Sequence, residues 1–302
     1  MKKLLSVLLV LVLALALCAP AMAEEFNIAI NLKTLSSEYW QNVKAGCDEA
    51  AVEYGVKIDV QGPAAETEIA EQVAQLETQL AGAPDAIIIA PLDGDAVIGA
   101  IESSGYKGIV VFCDTDCAYE GKTSFVGTSN EEAAHMGGQY GLAINGDKTG
   151  AVIIYGQEGD NTSNLRKAGY ERALAEAKIE PIAMLSGNNT TDGATKVMED
   201  LLNSYPGKIN LVLCHNDDTA IGALNAIESA KAEGISIIGF DGNASAVELI
   251  GAGKLAGTVA QMPSLMGSMA VETALKALKG ETVEANVVVD TVIIDATTKV
   301  EP

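Results

Sequence analysis

The sequence predicts an α/β protein built from two doubly wound parallel-sheet domains. Three observations carry that reading. Short apolar runs alternate with longer helical patterns, the alternation occurs in two successive series, and polar residues stand just after the apolar runs. Strands that are apolar throughout, spaced by helices, belong to parallel sheets covered on both faces. At 302 residues the chain is near the length at which one core gives way to two.

The first element to account for is the start, MKKLLSVLLVLVLALALCAPAMA. Lys2 and Lys3 precede an apolar run from Leu4 to Ala19, and small residues at Ala21 and Ala23 flank Met22. This is the layout of a secretory signal peptide with cleavage expected after Ala23. The run stops at Pro20, short of the roughly 20 residues a membrane-spanning helix needs. Leu17 is too large for the residue that precedes a lipidated cysteine, which argues against lipid attachment at Cys18. The expectation is a soluble, exported chain, periplasmic or associated with the cell surface.

In the first series, FNIAINL (26–32), VKIDVQ (56–61), AIIIAP (86–91), GIVVFCD (108–114) and TSFVG (123–127) read as strands. They are short, apolar or β-branched, and bounded by Gly, Pro or Asp. The first helix carries a stripe of Trp40, Val43, Cys47, Ala50, Ala51 and Tyr54, and Gly55 is placed to stop it. The second series begins near residue 131. Its strands are GAVIIYG (150–156), EPIAMLS (180–186), INLVLCH (209–215), SIIGFD (236–241) and GTVAQ (257–261), with helices near 162–178, 191–204, 218–233, 245–253 and 264–279. NVVVDTVIID (286–295) reads as one more extended run.

The formal charge is −22, and removal of residues 1–23 takes it to −24. A phosphate backbone attracts clustered Lys and Arg, so nucleic acid is excluded as a partner class. Four cysteines follow the signal: Cys47, Cys113, Cys117 and Cys214. Export permits disulfides, and Cys113 and Cys117 are close enough to pair or to stay free. His135 and His215 fall in no zinc pattern, so no metal is expected.

No catalytic constellation is present. GxSxG, HExxH and a strand followed by GxGxxG are all missing. GKT at 121–123 lacks the upstream glycine of a phosphate loop, because position 116 is Asp. Asp114 and Asp241 could serve as the carboxylate pair of a glycosidase. They suit binding equally well, since a carboxylate accepts charge-assisted hydrogen bonds from hydroxyls.

Ligands of open parallel sheets bind beyond the carboxyl ends of the strands. There the sequence places Ser36 to Trp40, then Asp114-Thr115-Asp116, Asn216-Asp217-Asp218, Asp241 and Gln261. One such residue is ordinary helix-cap chemistry; the series points to a site. Trp40, the only tryptophan, lies in it beside Tyr39.

SEYWQNVKAG, APLDGDAV (90–97), VVFCDTD (110–116), RKAGY (166–170), LCHNDDTAIGAL (213–224), IIGFDG (237–242), KLAGTVAQMP (254–263) and the closing GETVEANVVVDTVII resemble, in order, the periplasmic sugar-binding proteins of the ribose-binding type, solute receptors of ABC importers. The resemblance implies the type I periplasmic binding fold, with three crossovers and a ligand cleft between the domains. It implies domains of 24–128 plus 262–289 and 129–261 plus 290–302, with hinges near Thr128-Ser129, Gln261-Met262 and Val289-Asp290. It places sugar-stacking rings at Tyr39 and Trp40, a polar contact at Ser37, and hydroxyl-binding groups at Asp114, Asn216, Asp241 and Gln261. Two arginine positions of the ribose pattern fall on Thr115 and Asn164 and a third aromatic position on Asn189, which implies a pocket short of cations and of one ring. The implied function is capture of a monosaccharide-like ligand or polyol by a monomeric protein without cofactor, for delivery to ABC permease subunits. The alternatives are a sensor working with a chemoreceptor or sensor kinase, and a secreted glycosidase.

Overall fold

The computed structural model describes residues 26–146 and 149–298; the signal-peptide expectation lies outside the described residues. The chain forms two six-stranded sheets. In the first lie β1 (Asn27–Asn31), β2 (Lys57–Gln61), β3 (Ala86–Ile89), β4 (Ile109–Cys113), β5 (Ser124–Gly127) and β11 (Asn286–Val288). The second holds β6 (Ala151–Tyr155), β7 (Ala183–Ser186), β8 (Leu211–Cys214), β9 (Ser236–Asp241), β10 (Gly257–Ala260) and β12 (Val292–Asp295). Strand orders are β2-β1-β3-β4-β5-β11 and β7-β6-β8-β9-β10-β12, so one doubly wound topology occurs twice. All pairings are parallel except β10 with β12.

Period-two alternation along the strands feeds a core on each face of each sheet. Ile88 turns toward α1 (Glu38–Tyr54) and α9 (Pro263–Leu278). Its neighbours Ile87 and Ile89 turn toward α2 (Ile69–Ala81) and α3 (Gly94–Ser104). In the second sheet Ile153 packs under α4 (Asn130–Asn145) and α5 (Asn161–Glu176). Val152 and Ile154 face α6 (Thr191–Ser204), α7 (Asp217–Ala230) and α8 (Ala244–Gly251). Gly55 ends α1 at φ 67°, a left-handed conformation suited to glycine. Tyr54, placed on the buried stripe by periodicity, is 37% exposed at the last position of the helix.

The chain passes between the sheets three times: from β5 to α4, from β10 to α9, and from β11 to β12. The extended run expected over 286–295 is therefore two strands in two sheets, and the residues between them make a crossing. Val289 is buried there, its N–H bonded to the carbonyl of Gly127 at 2.9 Å. Cys47, Cys113, Cys117 and Cys214 are free thiols, so the chain is held by packing and not by a Cys113–Cys117 bridge.

Candidate functional site

Each sheet changes winding direction between its first and third strands in chain order, and the crevices beyond those carboxyl ends face each other. They enclose a small cavity lined by Lys33, Tyr39, Trp40, Glu66 and Asp114 from one lobe and Thr162, Arg166, His215, Asn216 and Asp241 from the other. The backbone is bent to aim these groups: Asp114 and Asp241 have φ of 66° and 123°, and Asn189 behind them 59°. Asp and Asn are among the few residues besides glycine that tolerate the left-handed values at 114 and 189, while 123° at Asp241 lies beyond that region and is strained.

Tyr39 and Trp40 open α1 with their rings edge to face, centroids 5.1 Å apart. Both rings belong to the core against α9, and both polar tips are bound by carboxylates. The Tyr39 hydroxyl donates to Asp114 Oδ2 at 2.6 Å and Trp40 Nε1 donates to Glu66 Oε1 at 2.7 Å. Burial, then the charges of Asp114 and Asp241, hold the Tyr39 phenol protonated. Thr115 sits behind Asp114 and donates to its Oδ1 at 2.7 Å.

From the second lobe, Arg166 reaches in from α5. Its guanidinium lies 3.7 Å from the centroid of the Phe240 ring, Nε donates to Asn130 Oδ1 at 2.8 Å, Nη1 donates to the His215 carbonyl at 2.9 Å, and Asp241 Oδ1 is 3.5 Å away. Asp241 also accepts from Gln261 Nε2 at 2.9 Å. Burial raises the Asp241 carboxyl well above its ordinary range, and Arg166 pulls it back in part. Asn216 caps α7, its Oδ1 accepting the Thr219 N–H at 2.9 Å, while its Nδ2 donates to the Asn189 carbonyl at 3.3 Å.

The lobes are bridged directly around the cavity. Lys33 Nζ meets Asp160 Oδ2 at 2.8 Å, with both side chains buried. Burial works to lower the Lys33 pKa, but Asp160, Glu66 and Asp114 together outweigh it and the net shift is upward. Glu66 Oε2 accepts from Asn189 Nδ2 at 2.7 Å, and Thr115 and Thr162 share a hydroxyl bond of 2.9 Å. At the rim, Glu38 accepts the Ala244 N–H at 2.7 Å and the Ser245 hydroxyl at 2.8 Å, so it caps α8 from the opposite lobe. The arrangement is a closed cleft.

Of the expected residues, Tyr39, Trp40, Asp114, Asn216 and Asp241 line the cavity. Thr115, Asn189 and Gln261 stand one layer behind, each holding a lining carboxylate. Ser37 is half-buried at the N-cap of α1 and outside the lining, and Asn164 is exposed. The expected shortage of cations is corrected: Lys33 and Arg166 both line the cavity. Arg166 is a full helical turn beyond Thr162, so both face the cleft, whereas Asn164 points about 200° away from Thr162. That spacing was a usable signal. Lys33 and Glu66 carried none, since an isolated charge in a loop reads as solvated surface.

Two lobes of one topology, three crossings and a closed polar cavity between them define a hinged ligand-binding protein. A periplasmic binding protein domain matches residues 28–282, and the chain belongs to that family. A ribose import binding protein of Bacillus subtilis is 32% identical over 87% of this chain and 85% of its own. Another from Haemophilus influenzae is 30% identical over 97% and 99%. Among solved structures, an ABC transporter periplasmic solute-binding protein of Actinobacillus succinogenes, with bound D-allose, is 30% identical with a TM-score of 0.82, covering 90% of this chain and 98% of that one. These relatives are binding proteins and not enzymes.

Proposed function

We propose that the protein captures a compact polyhydroxylated ligand of monosaccharide size outside the cytoplasmic membrane and, as a single chain, presents it unchanged to the membrane subunits of an ABC importer. The observation that carries this reading is the closed cavity between the lobes, with carboxylates and cations from both sides. The cavity is small and ringed by polar and aromatic side chains, which suits a ligand more compact than the occupants of ordinary drug-sized sites. Asp114, Glu66 and Asp241 accept hydrogen bonds from hydroxyls, Lys33 and Arg166 donate to them, and the Tyr39 and Trp40 rings cover apolar faces.

Closure follows from differential affinity, since a ligand that touches both lobes binds the closed form more tightly than the open one. The domains are 24–128 plus 262–289 and 129–261 plus 290–302, and the hinges lie at Thr128-Ser129, Gln261-Met262 and Val289-Asp290. Two of these crossings are tied to each other, Thr128 Oγ1 donating to Gln261 Oε1 at 2.7 Å.

The test is a thermal-shift screen of D-ribose, D-allose, D-arabinose, D-galactose and simple polyols, with calorimetry on each stabilising compound. The expected result is one-to-one binding near micromolar affinity, about −8 kcal/mol, with the sugar recovered intact. A panel that leaves the melting temperature unmoved counts against the assignment, and conversion of the sugar would make the protein an enzyme.

A further inference from the structure

One cavity-lining group is left without a task by the closed structure. His215 follows β8, is 4% exposed, and its Nδ1 is buried with no hydrogen-bond partner. Buried polar atoms in folded proteins are almost always satisfied, so an exception calls for a reason. The residue is firmly placed. Its N–H donates to the Ile154 carbonyl at 2.9 Å and its own carbonyl accepts from Arg166 Nη1 at 2.9 Å. The ring packs against Gly156 at the end of β6, where a Cβ would come within 2.9 Å of ring atoms Cδ2 and Cε1. Side-chain space at position 156 is shared by Asn189 Oδ1, which lies nearest, and the imidazole.

The surroundings fix its chemistry. Burial first, then the charges of Arg166 and Lys33 in the same cavity, oppose a positive ring, so the imidazole is neutral, with one N–H and one bare nitrogen. The other lining groups are one-sided or engaged. The carboxyl groups of Glu66, Asp114 and Asp241 are taken by Trp40, Tyr39 and Gln261, Lys33 and Arg166 only donate, and the tips of Tyr39 and Trp40 are bound to carboxylates. A neutral imidazole with a free Nδ1 is matched to a hydroxyl, which both donates and accepts.

We propose that His215 is a specificity-determining residue whose Nδ1 pairs with one particular hydroxyl of the bound ligand, selecting molecules that carry a hydroxyl at that carbon. The proposal rests on the reading of the protein as a binder of a small polyhydroxylated ligand.

The experiment compares wild type, His215→Leu and His215→Gln by calorimetry. Titrants are the tightest-binding sugar among D-ribose, D-allose, D-arabinose and D-galactose, and that sugar's monodeoxy analogues. In wild type, one deoxy analogue binds at least about tenfold more weakly than the parent. His215→Leu weakens the parent by a similar factor yet binds that same analogue as wild type does, and His215→Gln restores part of the discrimination. Equal weakening of parent and all analogues, or no weakening, overturns the assignment while leaving the sugar reading intact. If no sugar binds wild type, both fall. Should His215→Leu fail to fold, the Gln variant and the imidazole nitrogen resonances of wild type carry the test, His135 being the only other histidine. A shift of the His215 Nδ1 signal on sugar addition is expected; an unchanged signal overturns the proposal.

Discussion

Asp241 shows how much a single position is asked to do. It ends β9, takes a backbone conformation rare outside glycine, and holds a carboxyl against Arg166 and Gln261 beside the cavity. Strained backbone of this kind persists only where its surroundings over-determine it. Replacing Asp241 or Asp114 by Ala leaves Arg166 or Tyr39 facing an empty site. The expected loss is about 2–5 kcal/mol of binding, enough to take a micromolar ligand into the millimolar range by calorimetry. Asp217, behind Asp241, accepts from Thr258 Oγ1 at 2.7 Å and the Asn243 N–H at 2.8 Å. Burial pushes its carboxyl up to about 7, whereas an unfolded Asp titrates near about 4. The folded chain keeps a proton that the unfolded chain releases. This group's stabilisation is therefore complete below about pH 4 and is lost as pH rises through 7. The ligand-free melting temperature should fall between about pH 4 and 7, and Asp217→Asn should flatten that slope. At this scale the site was legible where a polar residue ends a strand, as with Asp114, Asn216 and Asp241. It was illegible where a long side chain arrives from a loop, as with Lys33 and Glu66, because reach depends on tertiary placement.

The pairing of α1 with α9 sets the limits at the level of elements. A Cβ on Gly46 would lie 1.8 Å from the Ser264 carbonyl oxygen, and one on Gly267 would lie 2.1 Å from that of Val43. The helices meet backbone to backbone at these points, and no side chain can swing aside. Gly46→Ala or Gly267→Ala should cost about 1–3 kcal/mol or more, seen as a lower urea midpoint. Because α9 enters the first lobe only after the chain has built most of the second, this contact also clamps a crossing. The elements themselves were readable because interior strands such as β3 and β8 are apolar on both faces, a pattern few other structures produce. The tail was not readable in the same way. β11 and β12 are two edge strands separated by a short crossing, and a period-two pattern carries no record of which sheet each half joins.

The whole molecule is a closed form stitched by bonds that an open form would lack. Glu38 at the rim is partly exposed, so Glu38→Ala should leave the melting temperature of the ligand-free protein little changed. It should weaken ligand binding by roughly fivefold, about 1 kcal/mol, through faster release. Lys33→Met goes deeper, because it leaves Asp160 buried without its partner; X-ray scattering should then show a larger radius of gyration for the ligand-free chain. The strand order carries one more consequence. Each sheet takes its last edge strand from the closing segment of the chain, β11 in one and β12 in the other. Neither half can finish folding until residues 286–295 have emerged. A polypeptide threaded through a membrane pore from its N-terminus would thus remain unfinished, and easier to pull through, for almost the entire passage.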